Sequence, residues 1–393
     1  MEAKKNIAVV TGTRAEYGLL RPVLQKLRAS ERLAPQLLVT GAHLSEEYGR
    51  TVQEIEADGM PIAARIDILR FGHGVLALPD TVAFAIREFA SWFAENRPAA
   101  VLVLGDRYEI FAAAQAAAMM GVPIAHISGG DVTLGAADDY YRHCITKMAA
   151  LHFPSCAEYA RRVIRMGERP ENVYNVGGLG DENIRMMPKL SLDALSESIG
   201  FDLHTPYALV TYHPETAGGA DPAAQSDALL RAMDAVGADK GVHWLITKAN
   251  ADAGGEIINR RIDAWVASRP GEAAAFTSLG VKRYLSAMRY AAFVAGNSSS
   301  GVVETPTFGV PAVDIGERQA GRLRCANVLH CAADAGAIAA CMETALTPAF
   351  VRRARHTDSP YNGGNTSGRI VAVLEQRLFE PGFGAPKGFY DGE

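Results

Sequence analysis

Three short runs hold the residues whose types and spacing can do chemistry: Gly105-Asp106-Arg107, Ser128-Gly129-Gly130-Asp131 and Asp138-Asp139-Tyr140-Tyr141-Arg142-His143. Together they bring at least three carboxylates and three cationic or titratable groups into one region of the chain. Carboxylates set beside cations are the groups that proton transfer needs. The plain alternative is that an Asp after a strand is only a turn residue and that Asp138 caps the helix it precedes. Spacing alone leaves both open.

The elements that must position these residues can be read next. Residues 101–104 are an apolar run expected to form a buried parallel strand, and Gly105 turns the chain so that Asp106 and Arg107 stand at the sheet edge. Open α/β sheets bind ligands at that edge. An Ala- and Met-rich helix over 110–120 ends at Gly121, and a strand over 122–126 runs into Ser128 and the two glycines. A loop with Thr133 and Gly135 then leads to a helix over 140–148 carrying Arg142, His143 and Lys147.

Upstream, a strand over 7–10 turns through Thr11-Gly12-Thr13-Arg14-Ala15-Glu16-Tyr17-Gly18 into a helix expected from about Leu19 or Leu20. Gly12 permits close backbone approach and Arg14 can complement a phosphate at the helix start. The turn is not G-x-G-x-x-G, so it gives no support to NAD binding. A strand over 37–40 ends near His43, read as a structural histidine, and a lid is expected around 70–74 before a helix over 80–93. Strands over 151–154 and 173–176 flank a helix over 157–166, and the glycines at 177–180 mark a domain junction.

The alternation then restarts. A strand over 207–212 delivers His213, and further strands are expected over 244–247, 276–278, 292–295 and 311–315, with helices over 257–266 and 282–290. The strand over 292–295 ends in Gly296-Asn297-Ser298-Ser299-Ser300-Gly301, where small hydroxyls, glycines and a helix start offer donors to a diphosphate. An ordinary serine cap without a ligand is the alternative. Arg318 follows the strand over 311–315, and a terminal helix is expected over 370–379. Repeated strand and helix order gives parallel sheets.

At 393 residues the chain has room for two domains, and a net charge of −5 from 39 basic and 44 acidic residues argues against a nucleic-acid surface. No run approaches the length needed to span a bilayer, and a strand close behind Met1 leaves no room for a signal peptide, so a cytoplasmic location is expected. Five cysteines without a C-x-x-C pair are read as reduced, mostly buried thiols, neither a disulfide framework nor a zinc site.

The three opening runs resemble the UDP-N-acetylglucosamine 2-epimerases, especially the hydrolysing members that feed sialic and legionaminic acid synthesis. Their pattern reads GDR, then HI-x-GG-acidic, then DD-x-x-RH-x-I-x-K-M, matched here from Gly105 to Met148. The turn GTRAEYG resembles the hydrolysing branch, whereas the non-hydrolysing enzymes usually read GTRPE. The resemblance runs from Ile7 to about Phe379. It implies an α/β fold of two Rossmann-like, doubly wound domains facing a cleft (GT-B type), residues 1–178 and 179–365, with a C-terminal helix within 366–393 returning to the first.

It also implies a reaction: a nucleoside diphosphate leaves C1 as the C2 proton is lost, and water adds to the resulting 2-acetamidoglucal. Asp106 and Asp138 are then the expected acid/base carboxylates, and Arg14, His213, Ser298, Ser299, Ser300 and Arg318 the diphosphate ligands. Glu304 would accept the ribose hydroxyls, and Arg107 and Arg142 would contact substrate. One position departs from the pattern. Sialic-acid enzymes commonly carry Glu where this chain has Ser128; either Asp131 takes over its role, or Ser128 makes room for a bulkier 4-acetamido group. The expected partner is a UDP- or GDP-linked sugar, with no cofactor or metal, in a homodimer or homotetramer. A non-hydrolysing epimerase, a glycosyltransferase and a nucleotide-sugar sensor are the alternatives.

Overall fold

Apolar runs such as Ala100–Leu104, buried at every residue, form strands covered on both faces, and helices between them supply the cover. The computed structural model describes residues 3–46, 49–71, 76–133, 137–215, 221–249 and 254–392. The chain divides into two compact units, one of Met1–Val132, Ala136–Asn183 and Pro360–Glu393, the other chiefly Ile184–Ser359.

In the first unit, strands β1 (Lys5–Thr11), β2 (Leu33–Thr40), β3 (Ile62–Ile66), β4 (Ala100–Leu104), β5 (Ile124–Ile127) and β6 (Leu151–Phe153) form one parallel sheet in the order β3-β2-β1-β4-β5-β6. Between them run α1 (Arg14–Ala29), α2 (Val52–Ala57), α3 (Ala77–Asn96), α4 (Tyr108–Met119) and α5 (Ala137–Met148), with α6 (Ala157–Arg165) after β6. Alternate strand residues serve opposite layers. Ile7 and Val9 pack with Leu20, Leu24 and Leu27 of α1, whereas Ala8 and Val10 pack with Phe89 and Phe93 of α3 and the alanines of α4.

Helix α7 (Leu179–Met186) leads into the second unit, where α8 (Leu192–Ile199) precedes β7 (Tyr207–Thr211), α9 (Pro222–Lys240), β8 (His243–Thr247), α10 (Gly255–Ala267), β9 (Ala273–Phe276), α11 (Gly280–Tyr290) and β10 (Phe293–Gly296). Then come α12 (Ser299–Val303), α13 (Thr305–Phe308), β11 (Ala312–Ile315), β12 (Val328–Cys331), α14 (Ala335–Leu346) and α15 (Pro348–Arg355). Its sheet order, β12-β11-β10-β7-β8-β9, is the same doubly wound order. Each sheet therefore reverses its strand order once, between β1 and β4 and between β7 and β10. The last helix, α16 (Thr366–Arg377), belongs to the first unit, where Ile370, Val371 and Leu374 join the core beside α1. The buried Glu182 carboxylate accepts from the Ser367 amide at 2.7 Å and hydroxyl at 2.7 Å, fixing the start of that helix.

Several expected elements differ. Helix α1 starts at Arg14, not near Leu19, because Thr13 and Glu16 form a reciprocal capping box. Helix α5 starts at Ala137, which puts Asp138 inside the first turn and not at the cap. Residues 173–176 form no strand: β6 is only three residues long and Pro154 ends it, so Val173 makes an isolated bridge to His152. The strand expected at 276–278 lies earlier, at β9, and β3, β12 and α9 were not anticipated. His43 is wholly buried between the Thr11 and Thr51 hydroxyls at 3.1 and 2.8 Å, and burial pushes it down to about 4, a neutral packing residue as expected. The cysteines are free, but only Cys156 and Cys331 are buried. Of the lid expected at 70–74, residues 72–74 lie outside the described residues. Among the described residues no helix is long and apolar enough to cross a membrane.

Candidate active site

The carboxyl edge of the first sheet is built from the turns after β1, β4 and β5. Gly105 adopts a positive φ of 75° and releases Asp106 from the end of β4. Arg142, near the middle of α5 and only 7% exposed, reaches back to it: one guanidinium nitrogen binds the Asp106 carboxylate, and the other donates to the Asp131 carbonyl at 2.9 Å and to Asp139 Oδ1 at 3.2 Å. Arg142 thus ties the β4 turn, the β5 loop and its own helix together. Asp138 is raised above the ordinary carboxylate range, first by burial and then by the charge of Asp106, against the opposing charges of Arg107 and Arg142. The structure therefore brings Asp106, Asp138, Arg107 and Arg142 into one electrostatic neighbourhood.

Beneath them His126, wholly buried and pushed down to about 3 by burial, is neutral. Its Nε2 lies 2.8 Å from the Gly105 carbonyl and so carries the proton, while Nδ1 faces the Thr146 hydroxyl at 3.2 Å. The imidazole pins the Asp106 turn to α5. Ser128 sits at φ 64°, a left-handed conformation that its side chain must tolerate, with its amide on the Phe153 carbonyl at 3.0 Å. Burial raises the Cys156 thiol and the Tyr361 phenol, and the charge of Asp131 adds to both.

The first turn holds a different cluster. Glu16 Oε2 accepts from the Gly12 and Thr13 amides at 2.8 and 3.0 Å, so these two donors before the helix are already occupied by a side chain of its first turn. Glu16 is pushed up to about 8, by burial first and then by the charge of Glu109, which is wholly buried and ion-paired to Arg107 at 2.6 Å. A Cβ on Gly12 would stand 2.5 Å from Glu109, so only glycine fits here. Arg14 points outward, 64% exposed, and pairs with Glu54 at 2.8 Å.

In the second unit the centre is Asn297, absent from the residues singled out in the sequence. It is wholly buried; its side-chain oxygen accepts from the His213 amide at 2.7 Å and its side-chain nitrogen donates to the His213 carbonyl at 2.8 Å. Its own carbonyl accepts from Gln319 at 2.8 Å and Arg318 at 3.3 Å. One residue thus fixes the turn after β7 and the turn after β11 together. Gly296 makes this possible: at φ 131° it lies so close to the Thr211 carbonyl that any Cβ would overlap it. Ser298 stands at the start of α12 without using its side chain as a cap. Glu304 is pushed up to about 7 by burial, opposed by the Ser300 hydroxyl, and its charge in turn raises the buried Tyr284 phenol to about 12, after burial itself. Among the described residues, no group of three His, Cys, Asp or Glu is disposed to hold a metal ion.

Sequence reading missed Asn297, Glu109, His126 and Tyr284 as positioning groups. Glu16, also missed, had a local signal in the Thr-x-x-Glu spacing of a capping box; Glu109 pairs with Arg107 two positions away, and Asn297, His126 and Tyr284 act through partners distant in the chain.

A family model described as UDP-N-acetylglucosamine 2-epimerase matches residues 25–375. The chain is 37% identical over 327 residues to the GDP/UDP-N,N'-diacetylbacillosamine 2-epimerase (hydrolyzing) of Campylobacter jejuni, covering 83% of this chain and 84% of that one. It is 31% identical over 373 residues to the UDP-N,N'-diacetylbacillosamine 2-epimerase (hydrolyzing) of Legionella pneumophila, covering 94% and 96%. The crystal structure of the UDP-GlcNAc 2-epimerase of Neisseria meningitidis bound to UDP-GlcNAc superposes with a TM-score of 0.78 at 17% identity, covering 94% of this chain and all of that one, and so shares its fold. By the span of the family match and the identity to these relatives, the chain belongs to the UDP-N-acetylglucosamine 2-epimerase family.

Proposed function

We infer that the chain is a hydrolysing nucleotide-sugar 2-epimerase, taking a UDP- or GDP-linked 2-acetamido sugar to the free manno-configured sugar and the nucleoside diphosphate. The observation that carries this reading is the pair Asp106 and Asp138 gathered around Arg142, in a chain whose relatives are named for that reaction. Inversion at C2 needs one group to take a proton and another to deliver one from the opposite face. Cleavage of the C1–O bond sends its electron pair to the diphosphate; the C2 proton passes to a carboxylate as C1=C2 forms. Water then supplies hydroxide to C1, and C2 regains a proton on the other face. Asp138, raised by burial and by Asp106, is assigned as the acid, and Asp106, held by Arg142, as the base.

The second unit is assigned the nucleotide. His213, Ser298, Ser299, Ser300 and Arg318 would bind the diphosphate and Glu304 the ribose, supported by the way Asn297 gathers His213 and Arg318. Arg107 is assigned to substrate in the first unit, and Arg14 joins the diphosphate on giving up its pair with Glu54. Ser128 is assigned to leave room for a 4-acetamido group, a reading supported by the diacetamido sugar named for the relatives, and the enzyme is assigned to a legionaminic- or sialic-type pathway. Free cysteines fit a reducing cytoplasm, and the exposed Met119, Met120 and Tyr140 give a homodimer or homotetramer its apolar surface.

Phosphorus NMR of a panel of UDP- and GDP-sugars tests the reaction. Release of free nucleoside diphosphate with an epimerised sugar is expected. A sugar epimerised but still nucleotide-linked, or transferred intact to an acceptor, would overturn the reading.

A further inference from the structure

The chain continues past α16, and residues 384–390, Gly-Ala-Pro-Lys-Gly-Phe-Tyr, lie along the first unit. Gly384 lies against Pro123, where a Cβ would come 2.5 Å from the proline ring. The Lys387 ammonium then meets three acceptors: the Ala149 carbonyl at 2.6 Å, the Thr146 carbonyl at 3.5 Å and the carboxylate of Glu168. The ring of Phe389 occupies the space over Gly167 that a side chain there would fill, with Lys147 Nζ 4.7 Å from its centroid. The Tyr390 amide closes the run on the Gly167 carbonyl at 3.0 Å.

The Lys387 bonds to Thr146 and Ala149 and the Phe389 contact with Lys147 converge on the C-terminal end of α5. Thr146 is in its last turn and Ala149 follows it, and helix ends leave carbonyls without partners, which a cation satisfies while also matching the negative end of the helix dipole. Lys147, on the same turn, donates to Glu168 at 2.6 Å and to the Met166 carbonyl at 2.8 Å. Glu168 is 2% exposed; burial would raise it, yet the donors His152, Lys147 and Lys387 hold it down at about 2. The first turn of this helix carries Asp138 and Asp139, and its middle carries Arg142. A twelve-residue helix is a rod of about 18 Å, so an end held fast fixes where the far side chains stand. Thr146 adds a second route, through its hydroxyl to His126 and from there to the Gly105 carbonyl beside Asp106.

We propose that residues 384–390 are a strap that fixes α5, and that Lys387 is a positioning residue for Asp106, Asp138 and Arg142. The second half of this statement rests on the acid/base reading of those residues given above. The strap itself does not.

Full-length Lys387→Met, Lys387→Arg and Phe389→Ala test it, with amide hydrogen exchange of residues 145–150 measured beside kcat, KM and the affinity for UDP and GDP. Lys387→Met is expected to speed exchange there by about tenfold or more. It should lower kcat by about tenfold, with KM and nucleotide affinity within about twofold of wild type. Lys387→Arg, which keeps the cation, should restore kcat to within about threefold, and Phe389→Ala should fall between. Wild-type exchange in Lys387→Met overturns the strap; faster exchange with unchanged kcat overturns the positioning role and leaves a tail that only stabilises. If Lys387→Met does not fold, Phe389→Ala decides by the same two readouts. If wild type turns over no nucleotide sugar, the functional reading fails and takes the positioning role with it, while the exchange measurement still decides the strap.

Discussion

The two sheets share one strand order, yet the turns after their fourth strands have opposite chemistry. In the first unit Gly105 leads to Asp106, a carboxylate gripped by Arg142, with Asp138, Arg107, Glu109 and Glu16 around it. In the second Gly296 leads to Asn297, a neutral amide that spends its hydrogen bonds on the main chain of His213. A single oxygen-for-nitrogen difference at equivalent places in the topology separates a turn that can exchange protons from one that can only hold geometry. Doubly wound sheets put ligands at the reversal of strand order whichever residues stand there, so the topology sets where chemistry happens and the turn residues set what it is.

The sharpest way to break this comparison is to make the first unit resemble the second. Asp106→Asn and Asp138→Asn are each expected to cut turnover by about 10² to 10⁴, the range of a lost acid/base group. Nucleotide affinity, assigned to the other unit, should stay within about threefold by calorimetry. A parallel collapse of nucleotide binding would show that the division of labour is wrong.

The complementary change removes the neutral hub. Asn297→Ala takes both side-chain bonds away from the half-buried His213 main chain, while the backbone carbonyl that accepts from Arg318 and Gln319 stays in place, and a polar group stranded away from water costs about 1–3 kcal/mol. We expect UDP or GDP binding about 10- to 100-fold weaker, with amide hydrogen exchange in the first unit unaffected. Asn297→Asp is the more pointed version: it keeps the shape but has no donor for the His213 carbonyl.

These assignments also mark how far the chain could be read before its structure. Strands such as β4 and β7 were legible because burial on both faces demands an unbroken apolar run. The run 173–176 looked the same, but its partner β6 stops at Pro154, and strand pairing is a property of two segments. Helix α9 went unread because its apolar residues are largely alanines, which carry no strong period. At the site, Asp106, Asp138 and Arg142 stood out by clustering in sequence. Asn297 did not: its importance lies in bonds to His213, 84 positions away. Glu109 likewise looks like an ordinary first-turn acid of α4 until Arg107 and Gly12 are seen against it.

A third test uses pH. Glu304 is raised from 4.5 to about 7 by burial, so the fold binds its proton more tightly than the unfolded chain does. Its contribution to stability is fully present below 4.5 and is lost as pH rises to about 7. Ribose hydroxyls donating to the carboxylate need the ionised form, so nucleotide affinity should move the other way, falling about tenfold for each unit below about 7. Glu304→Gln should flatten both dependences, and subtracting its profile removes the titration of the phosphate itself. Affinity that is flat with pH in wild type and in Glu304→Gln alike would take Glu304 out of the ribose site.

The smallest effect is expected at Asp131. Its carboxylate could in principle replace the family carboxylate that Ser128 lacks, and the loop glycines could bring it towards the sugar. In the structure, however, the atom of Asp131 that meets Arg142 is the backbone carbonyl, at 2.9 Å, and an amide side chain leaves that carbonyl in place. The carboxylate itself weighs on Cys156 and Tyr361, whereas the charges weighing most on Asp138 are Asp106, Arg107, Arg142 and Glu109. Asp131→Asn should therefore keep kcat within about threefold and still place deuterium at C2 in deuterated water, since no proton-transfer group is lost. Ser128→Glu is the partner experiment. With Ser128 at φ 64° the longer side chain starts from a strained backbone, but it should still shift preference towards a sugar without a 4-acetamido group if pocket size is what Ser128 provides. Loss of deuterium incorporation in folded Asp131→Asn would reverse the argument: the carboxylate would then have to reach the sugar, and the turn after β5 would join the turn after β4 as a source of acid/base groups.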